Sequence, residues 1–167
     1  MKKVAIITVS AIIGLGSLAL PVNAIPSDEV IRANCQSAQQ VLGQMEKADA
    51  ALRINRGRVY NEITDLFYAM NSRLAGNKIS APKLATITSD FEDQLKDFRN
   101  SYNDYDDELT ALIEMKCQSK PSDFYDRLTK VRDSRADLNQ KINDLDQLLI
   151  DYQNEFNDNV RGLIDGK

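Results

Sequence analysis

Apolar residues recur at spacings of three and four along most of this chain, a pattern that predicts helices with one buried side. The first segment covers residues 28–74 and opens with Ser27, Asp28 and Glu29, which suit a helix N-terminus. Gly57 lies within this segment, and we expect the pattern to pass through it without a change of phase. Its two heptad stripes are Ile31, Ala38, Met45, Leu52, Val59, Leu66 and Cys35, Leu42, Asp49, Arg56, Ile63, Met70.

Two further segments with the same period cover residues 81–117 and 123–163. Gly76-Asn77 is a stop signal after the first helix, and Pro82 falls in the first turn of the second, where proline is tolerated. Pro121 separates the second segment from the third. The stripes of these segments are Leu84, Phe91, Phe98, Tyr105, Leu112 with Leu95, Tyr102, Leu109, and then Val131, Leu138, Leu145, Tyr152 with Leu128, Arg135, Ile142, Leu149, Phe156, Leu163.

The breaks between these segments are short, and short links between long helices make neighbours antiparallel. The sequence therefore predicts an all-α fold: an elongated up-down-up coiled-coil bundle of three helices forming a single domain, residues 25–167. A strict period of seven favours left-handed supercoiling of the helices.

The N-terminus departs from this amphipathic pattern. Lys2 and Lys3 precede an uncharged run, and the run is followed by Val22-Asn23-Ala24, the small-residue pattern of a cleavage site. We predict that residues 1–24 are a signal peptide and that the mature protein is extracytoplasmic: secreted, periplasmic or at the cell surface. The apolar run, about 17 residues long, is at the short limit for a membrane span, so an uncleaved N-terminal anchor is the alternative.

Two cysteines in a short exported chain predict a disulfide. If the chain turns near residue 77 or 78, Cys35 and Cys117 lie within about one helical turn of the same level. We therefore expect them to be bonded. Two independent buried thiols are the alternative, and the Cys-x-x-Cys arrangement of a redox pair is absent.

Charged residues occupy three positions on the predicted core stripes. Counting residues outward from the two turns shows which positions lie at the same height in neighbouring helices. The count places Asp49 beside Arg135, with Tyr105 or Tyr102 close enough to donate a hydroxyl hydrogen bond. A buried charge without a partner is very costly, so we expect an Asp49–Arg135 ion pair. Arg56 is one heptad further along, where it either stacks on an aromatic ring or extends to solvent. Such a layer usually fixes helix register; a ligand pocket is the functional alternative.

Two charged clusters outside the stripes have alternative interpretations. Asp104, Asp107 and Glu108 share one helical face and form either a solvated acidic surface or a weak cation site. Arg53, Arg56 and Arg58 form a basic cluster that either makes surface ion pairs or meets an acidic partner.

The composition narrows the possible functions. The net charge is −4, and loss of Lys2 and Lys3 makes it −6, which disfavours nucleic acid and anionic lipid as partners. The chain has no His, the commonest general base and metal ligand, and we find no catalytic, cofactor-binding or metal-binding motif.

We therefore expect a non-catalytic protein that binds, bridges or supports structures of the envelope or extracellular space. Its partner would be another protein or a second copy, and it would contact membrane only through an uncleaved signal segment. Apolar residues left over for such contacts are Val30, Val41, Phe67 and Tyr68. A secreted effector or helical toxin that enters membranes is the alternative function.

Overall fold

The computed structural model describes residues 26–165, and every regular element within them is helical. The elements are α1 (Asp28–Gly76), α2 (Pro82–Ile113), α3 (Pro121–Glu155), a π-helical turn (Phe156–Val160) and the short α4 (Arg161–Asp165). The prediction of an all-helical chain with three principal helices is confirmed. The predicted signal peptide, residues 1–24, lies outside the described residues.

The helices begin close to the predicted signals. Ser27 is the N-cap residue of α1, with Asp28 and Glu29 in the first turn. Both α2 and α3 begin with a proline, whose fixed φ and missing N–H are compatible with the first helical position. For this reason α3 starts at Pro121, two residues before the predicted boundary.

The C-terminus of α2 differs from the prediction, because the helix ends at Ile113 and not at residue 117. The side chain of Gln39 on α1 donates hydrogen bonds to the carbonyl oxygens of Ile113 at 2.9 Å and Met115 at 2.8 Å. Carbonyl groups at a helix end lack intrahelical partners. The contact with Gln39 gives the carbonyl of Ile113 a partner that sequence periodicity cannot predict. The carbonyl of Met115 also accepts from the backbone N–H of Cys117 at 2.9 Å.

The core lies along one side of each helix. Every predicted stripe residue of α2 is buried, and α2 and α3 pack along their lengths, whereas α1 and α3 touch at few points. The buried apolar residues of α2 and α3 lie mainly in these stripes. Within residues 26–165, no helix has the length and apolar character needed to cross a membrane.

The apolar pattern of α1 changes phase at Gly57, so the prediction of an unbroken phase is wrong. Before the glycine the buried residues are Ile31, Cys35, Leu42 and Asp49; after it they are Tyr60, Phe67 and Leu74. The step from Asp49 to Tyr60 is eleven residues, or about 3.67 per turn over three turns, close to the 3.6 of a straight helix. The expected stripe residues Leu52, Val59 and Leu66 are exposed as a result.

A second change of phase occurs at the end of α3. Tyr152 and Val160 are both buried, and the π-helical turn between them adds one residue to the spacing of seven. Leu163, which an unbroken heptad pattern places in the core, is exposed.

Candidate functional site

A disulfide joins α1 to the segment that follows α2. Cys35 and Cys117 are bonded with their Cα atoms 5.8 Å apart, and both residues are buried. The structure thus brings together the two cysteines that the sequence pairs. The bond closes a loop with a sequence separation of 82 residues, which stabilises the fold by about 4 kcal/mol on the chain-entropy model.

A polar layer crosses the three helices about four turns further along α1. Arg135 on α3 donates from Nε to Asp49 Oδ2 and from Nη2 to Asp49 Oδ1, both at 3.0 Å. The hydroxyl of Tyr105 on α2 donates to Asp49 Oδ2 at 2.6 Å. Asp49 is 8% exposed, whereas the side chain of Arg135 is 44% exposed. The structure therefore places these three predicted residues together, in an ion pair open to solvent on the arginine side.

The charge states of this layer follow from its contacts. Burial opposes ionisation of Asp49, but the hydrogen bonds from Arg135 and Tyr105 and the charge of Arg135 outweigh it, so the pKa of Asp49 lies below its ordinary value. Burial and the hydrogen bond to Asp49 raise the pKa of Tyr105. An ionised carboxylate and a neutral phenol with displaced pKa values are poorly suited to proton transfer near neutral pH. The layer instead supplies fixed hydrogen-bond partners and charge.

Two more arginines lie next to this layer. Arg56 Nη1 donates to the hydroxyl oxygen of Tyr60 at 3.2 Å. Arg53 Nη2 donates to Asn103 Oδ1 at 3.0 Å, and its guanidinium carbon lies 4.6 Å from the centre of the Tyr102 ring. The aromatic stacking considered for Arg56 is therefore made by Arg53, which sequence reasoning placed in the basic cluster.

A cavity of about 90 Å³ opens beside the polar layer and reaches all three helices. Its floor includes the buried rings of Phe98 and Tyr102. Its walls carry three guanidinium groups and one carboxylate; the lining residues are Asp49, Leu52, Arg53, Arg56, Phe98, Tyr102, Arg135, Leu138, Asn139 and Ile142. Sequence reasoning gave a ligand pocket at the polar layer only as the alternative to a register-fixing role and did not derive this cavity. The available signal was the coincidence of Arg56, on a core stripe, with Gly57.

The other predicted clusters lie elsewhere. Arg58 pairs with Glu62 on the exposed side of α1 at 2.9 Å and does not line the cavity. Glu108 approaches Arg127 at 3.6 Å. Across residues 26–165, no group of three or more Asp, Glu or Cys side chains is arranged to hold a metal ion.

The open side of α1 carries an apolar strip, defined here as Leu52, Val59 and Leu66. These residues are 52%, 42% and 67% exposed, and their spacing of seven aligns them along about 21 Å of the helix. Phe67, which the sequence placed among the residues free for partner contacts, is buried, whereas Val30, Val41 and Tyr68 are exposed.

No protein-family model matches this chain, and neither does any curated protein or solved structure.

Proposed function

We propose that this chain is an exported, non-catalytic binding protein, built as an elongated antiparallel three-helix coiled-coil bundle. Contacts of α1 with α2 and with the segment that follows α2 support the antiparallel order, because they join Asn71 with Thr88, Asp49 with Tyr105 and Cys35 with Cys117. The length of α1, 49 residues, corresponds to about 74 Å and supports an elongated shape.

Export is supported by two independent features. The basic and apolar pattern of residues 1–24 is that of a signal peptide. The disulfide between Cys35 and Cys117 is a bond that persists in oxidising compartments and is rare in the cytosol.

The exposed apolar strip is the observation that carries the binding role. A helix in a three-helix bundle normally buries the residues that face its two neighbours, but α1 touches α3 at few points. The phase change between Asp49 and Tyr60 leaves Leu52, Val59 and Leu66 exposed, so this side of the seam between α1 and α3 is left open.

An amphipathic helix of a partner protein is the occupant that this seam fits best. Helices recognise grooves by placing an apolar face between two helices of the receptor. A hollow of about 380 Å³ lines the same seam beside the cavity and has Val41 and Met45 on one wall and Leu128 on the other. Arg132 and Arg135 border it, so acidic residues on the partner helix would be favoured.

The experiment compares capture of a partner by oxidised residues 25–167 and by the variant L52Q/V59Q/L66Q. Proteins retained from the source organism's envelope and culture fluid are identified, and direct affinity is then measured with the purified partner. We expect the triple variant to weaken binding at least tenfold. Exposed apolar side chains contribute little to folding, so the variant keeps its thermal stability.

The matched control is I54Q/I164Q, which changes two exposed apolar residues outside the strip and is expected to bind as wild type does. Sedimentation of the free protein distinguishes a second copy from a different partner. A partner retained equally by wild type and the triple variant would contradict the proposal. Leakage of lipid vesicles on addition of the protein would favour the alternative of a membrane-interacting toxin.

A further inference from the structure

The cavity beside the polar layer combines positive charge with apolar walls. Arg53, Arg56 and Arg135 line it, and Asp49 is the one carboxylate among the lining residues. Asp49 is already engaged by Arg135 and Tyr105. The walls thus retain a local charge of about +2 in a chain whose net charge is −4.

The phase change of α1 explains how this cavity arises. Between Asp49 and Tyr60 no residue of α1 is fully buried, so one layer of the core lacks the large apolar side chain that a regular heptad supplies. Arg53 and Arg56 occupy that layer, and their contacts draw them towards Tyr102 and Tyr60 at its edges. The space between these side chains is the cavity, and Phe98 is among its lining residues.

We propose that this cavity binds a small monocarboxylic acid with an apolar body, and that the arginines hold its carboxylate. A guanidinium has five N–H donors. The ion pair with Asp49 uses two donors of Arg135, and the hydrogen bonds from Arg53 and Arg56 use one each. Donors therefore remain on all three groups, and arginine is the side chain best suited to bind a carboxylate through two parallel hydrogen bonds.

The apolar part of the ligand follows from the remaining walls. Leu52, Leu138 and Ile142 line the cavity together with Phe98. A strongly hydrated anion such as sulfate would lose its hydration water in this cavity and could make no apolar contacts that offset the loss. A volume of about 90 Å³ is larger than one water molecule needs. It accommodates a carboxylate and a few carbons, and a longer chain leaves through the open mouth along the seam.

This site is independent of the proposed protein-binding role, although Leu52 borders both surfaces. A disproof of partner binding at the apolar strip would leave the carboxylate site intact, and the reverse also holds. The two proposals differ in their tests, because the ligand here is a small molecule and the decisive residue is Arg56.

The experiment titrates ¹⁵N-labelled, oxidised residues 25–167 with sodium hexanoate and follows amide and arginine Nε–H resonances. Hexanamide and sodium sulfate are titrated in parallel as the uncharged isostere and as an anion without an apolar body. We expect saturable shifts at residues 49–56, 98–102 and 135–142 with hexanoate only, with a Kd on the order of 1 mM for a ligand of this size.

Two variants assign the binding to the arginines. Arg56→Gln is expected to weaken hexanoate binding at least tenfold, whereas Arg58→Gln, on the exposed side of the same helix, leaves it unchanged. Asn139→Glu places a carboxylate at the exposed edge of the cavity and is expected to abolish binding by occupying the arginines, with no loss of thermal stability. This second variant keeps the test decisive if Arg56→Gln reduces folding.

Equal binding of hexanoate and hexanamide would overturn the proposal, because the arginines would then have no role. Equal effects of hexanoate and sulfate would reduce the site to an adventitious ion only. Absence of a saturable shift at tens of millimolar hexanoate would show that the cavity takes no such ligand.

Discussion

The two parts of α1 on either side of Gly57 pack against different kinds of side chain. After the glycine, Phe67 stacks on Tyr152 with ring centres 3.7 Å apart, and it meets Phe91 edge-on at 5.3 Å. The half-buried amide of Asn71 makes neutral hydrogen bonds in this part: it donates to Thr88 at 2.8 Å and accepts from Tyr152 at 3.1 Å. We call this the aromatic half.

Before the glycine, the layer around Asp49 contains an ion pair and the adjoining cavity. We call this the polar half, and it also contains the disulfide between Cys35 and Cys117. The comparison indicates that the aromatic half is held by packing, whereas the polar half is held by a covalent bond and a charge pair around an open space. A binding site is more readily accommodated in the polar half, because filling its cavity displaces no packed side chain.

Removal of the disulfide from the polar half is expected to have the largest effect on the free energy of unfolding. We expect the double variant C35S/C117S to lose about 4 kcal/mol in free energy of unfolding, because the unfolded chain regains the freedom of a long loop. Urea denaturation measures the loss, and wild type that has been reduced and alkylated is the control.

Hydrogen exchange on the same double variant locates the loss. Amides of the polar half should exchange faster than those of the aromatic half, since only the former lose a direct restraint. A uniform increase along α1 would contradict the division into two halves.

The ion pair is expected to contribute less than the disulfide. Asp49→Asn keeps the shape and an acceptor for Tyr105 but removes the charge that faces Arg135. We expect a loss of about 2 kcal/mol, which is less than the ~3–5 kcal/mol for breaking a fully buried pair, because Arg135 is partly exposed to solvent. Asp133→Asn, at an exposed position on α3, should change stability by less than about 0.5 kcal/mol.

A double-variant cycle isolates the interaction. D49N/R135Q should lose less than the sum of D49N and R135Q, because each single change already breaks the same contact. Additive losses would show that Asp49 and Arg135 stabilise the fold independently.

The same carboxylate gives the polar half a specific response to acid. The folded pKa of Asp49 lies below the ordinary aspartate pKa of 3.8, so between these two pKa values the unfolded chain binds more protons than the folded one. The stabilisation is therefore fully present above about pH 5 and is lost as the pH falls through the folded pKa. Denaturation of wild type between pH 6 and pH 2 should show a steeper decline than that of Asp49→Asn. Parallel curves would contradict this assignment.

The smallest expected effect concerns the glycine at the boundary. A Cβ atom at Gly57 or at Gly43 meets nothing within 4 Å, so Gly57→Ala and Gly43→Ala should each gain about 0.5–1 kcal/mol from helix propensity alone. Thermal denaturation compares the two. A loss at Gly57 together with a gain at Gly43 would show that the change of phase requires the freedom of glycine.

Sequence reasoning predicted the features that depend on local apolar spacing and on the height of a residue along the bundle. Three helices follow from apolar spacing and from Pro82 and Pro121 at the breaks. The approach of Cys35 to Cys117 and of Asp49 to Arg135 follows from counting residues outward from two short turns, a count that small phase changes barely disturb.

Sequence reasoning missed the features that depend on which of two adjacent apolar residues of α1 faces the core. Leu66 and Phe67 are adjacent and both apolar, so spacing alone does not decide which one faces the core. The decision comes from the partners of Phe67, whose ring meets Phe91 and Tyr152 on the other two helices. A ligand pocket at the polar layer was predicted only as an alternative, because the cavity depends on the change of phase between Asp49 and Tyr60.

Both the exposed strip and the cavity depend on the change of phase in α1 between Asp49 and Tyr60. The neighbouring variants Leu66→Gln and Phe67→Gln test this change most directly. We expect Leu66→Gln to change the free energy of unfolding by no more than about 0.5 kcal/mol, as at other exposed positions. Phe67→Gln should lose about 3–5 kcal/mol, because it empties a packed aromatic site and buries an amide. Both losses are measured by urea denaturation of the oxidised protein. A large loss at Leu66 with little loss at Phe67 would show that the heptad pattern runs unbroken through Gly57, and would contradict the account.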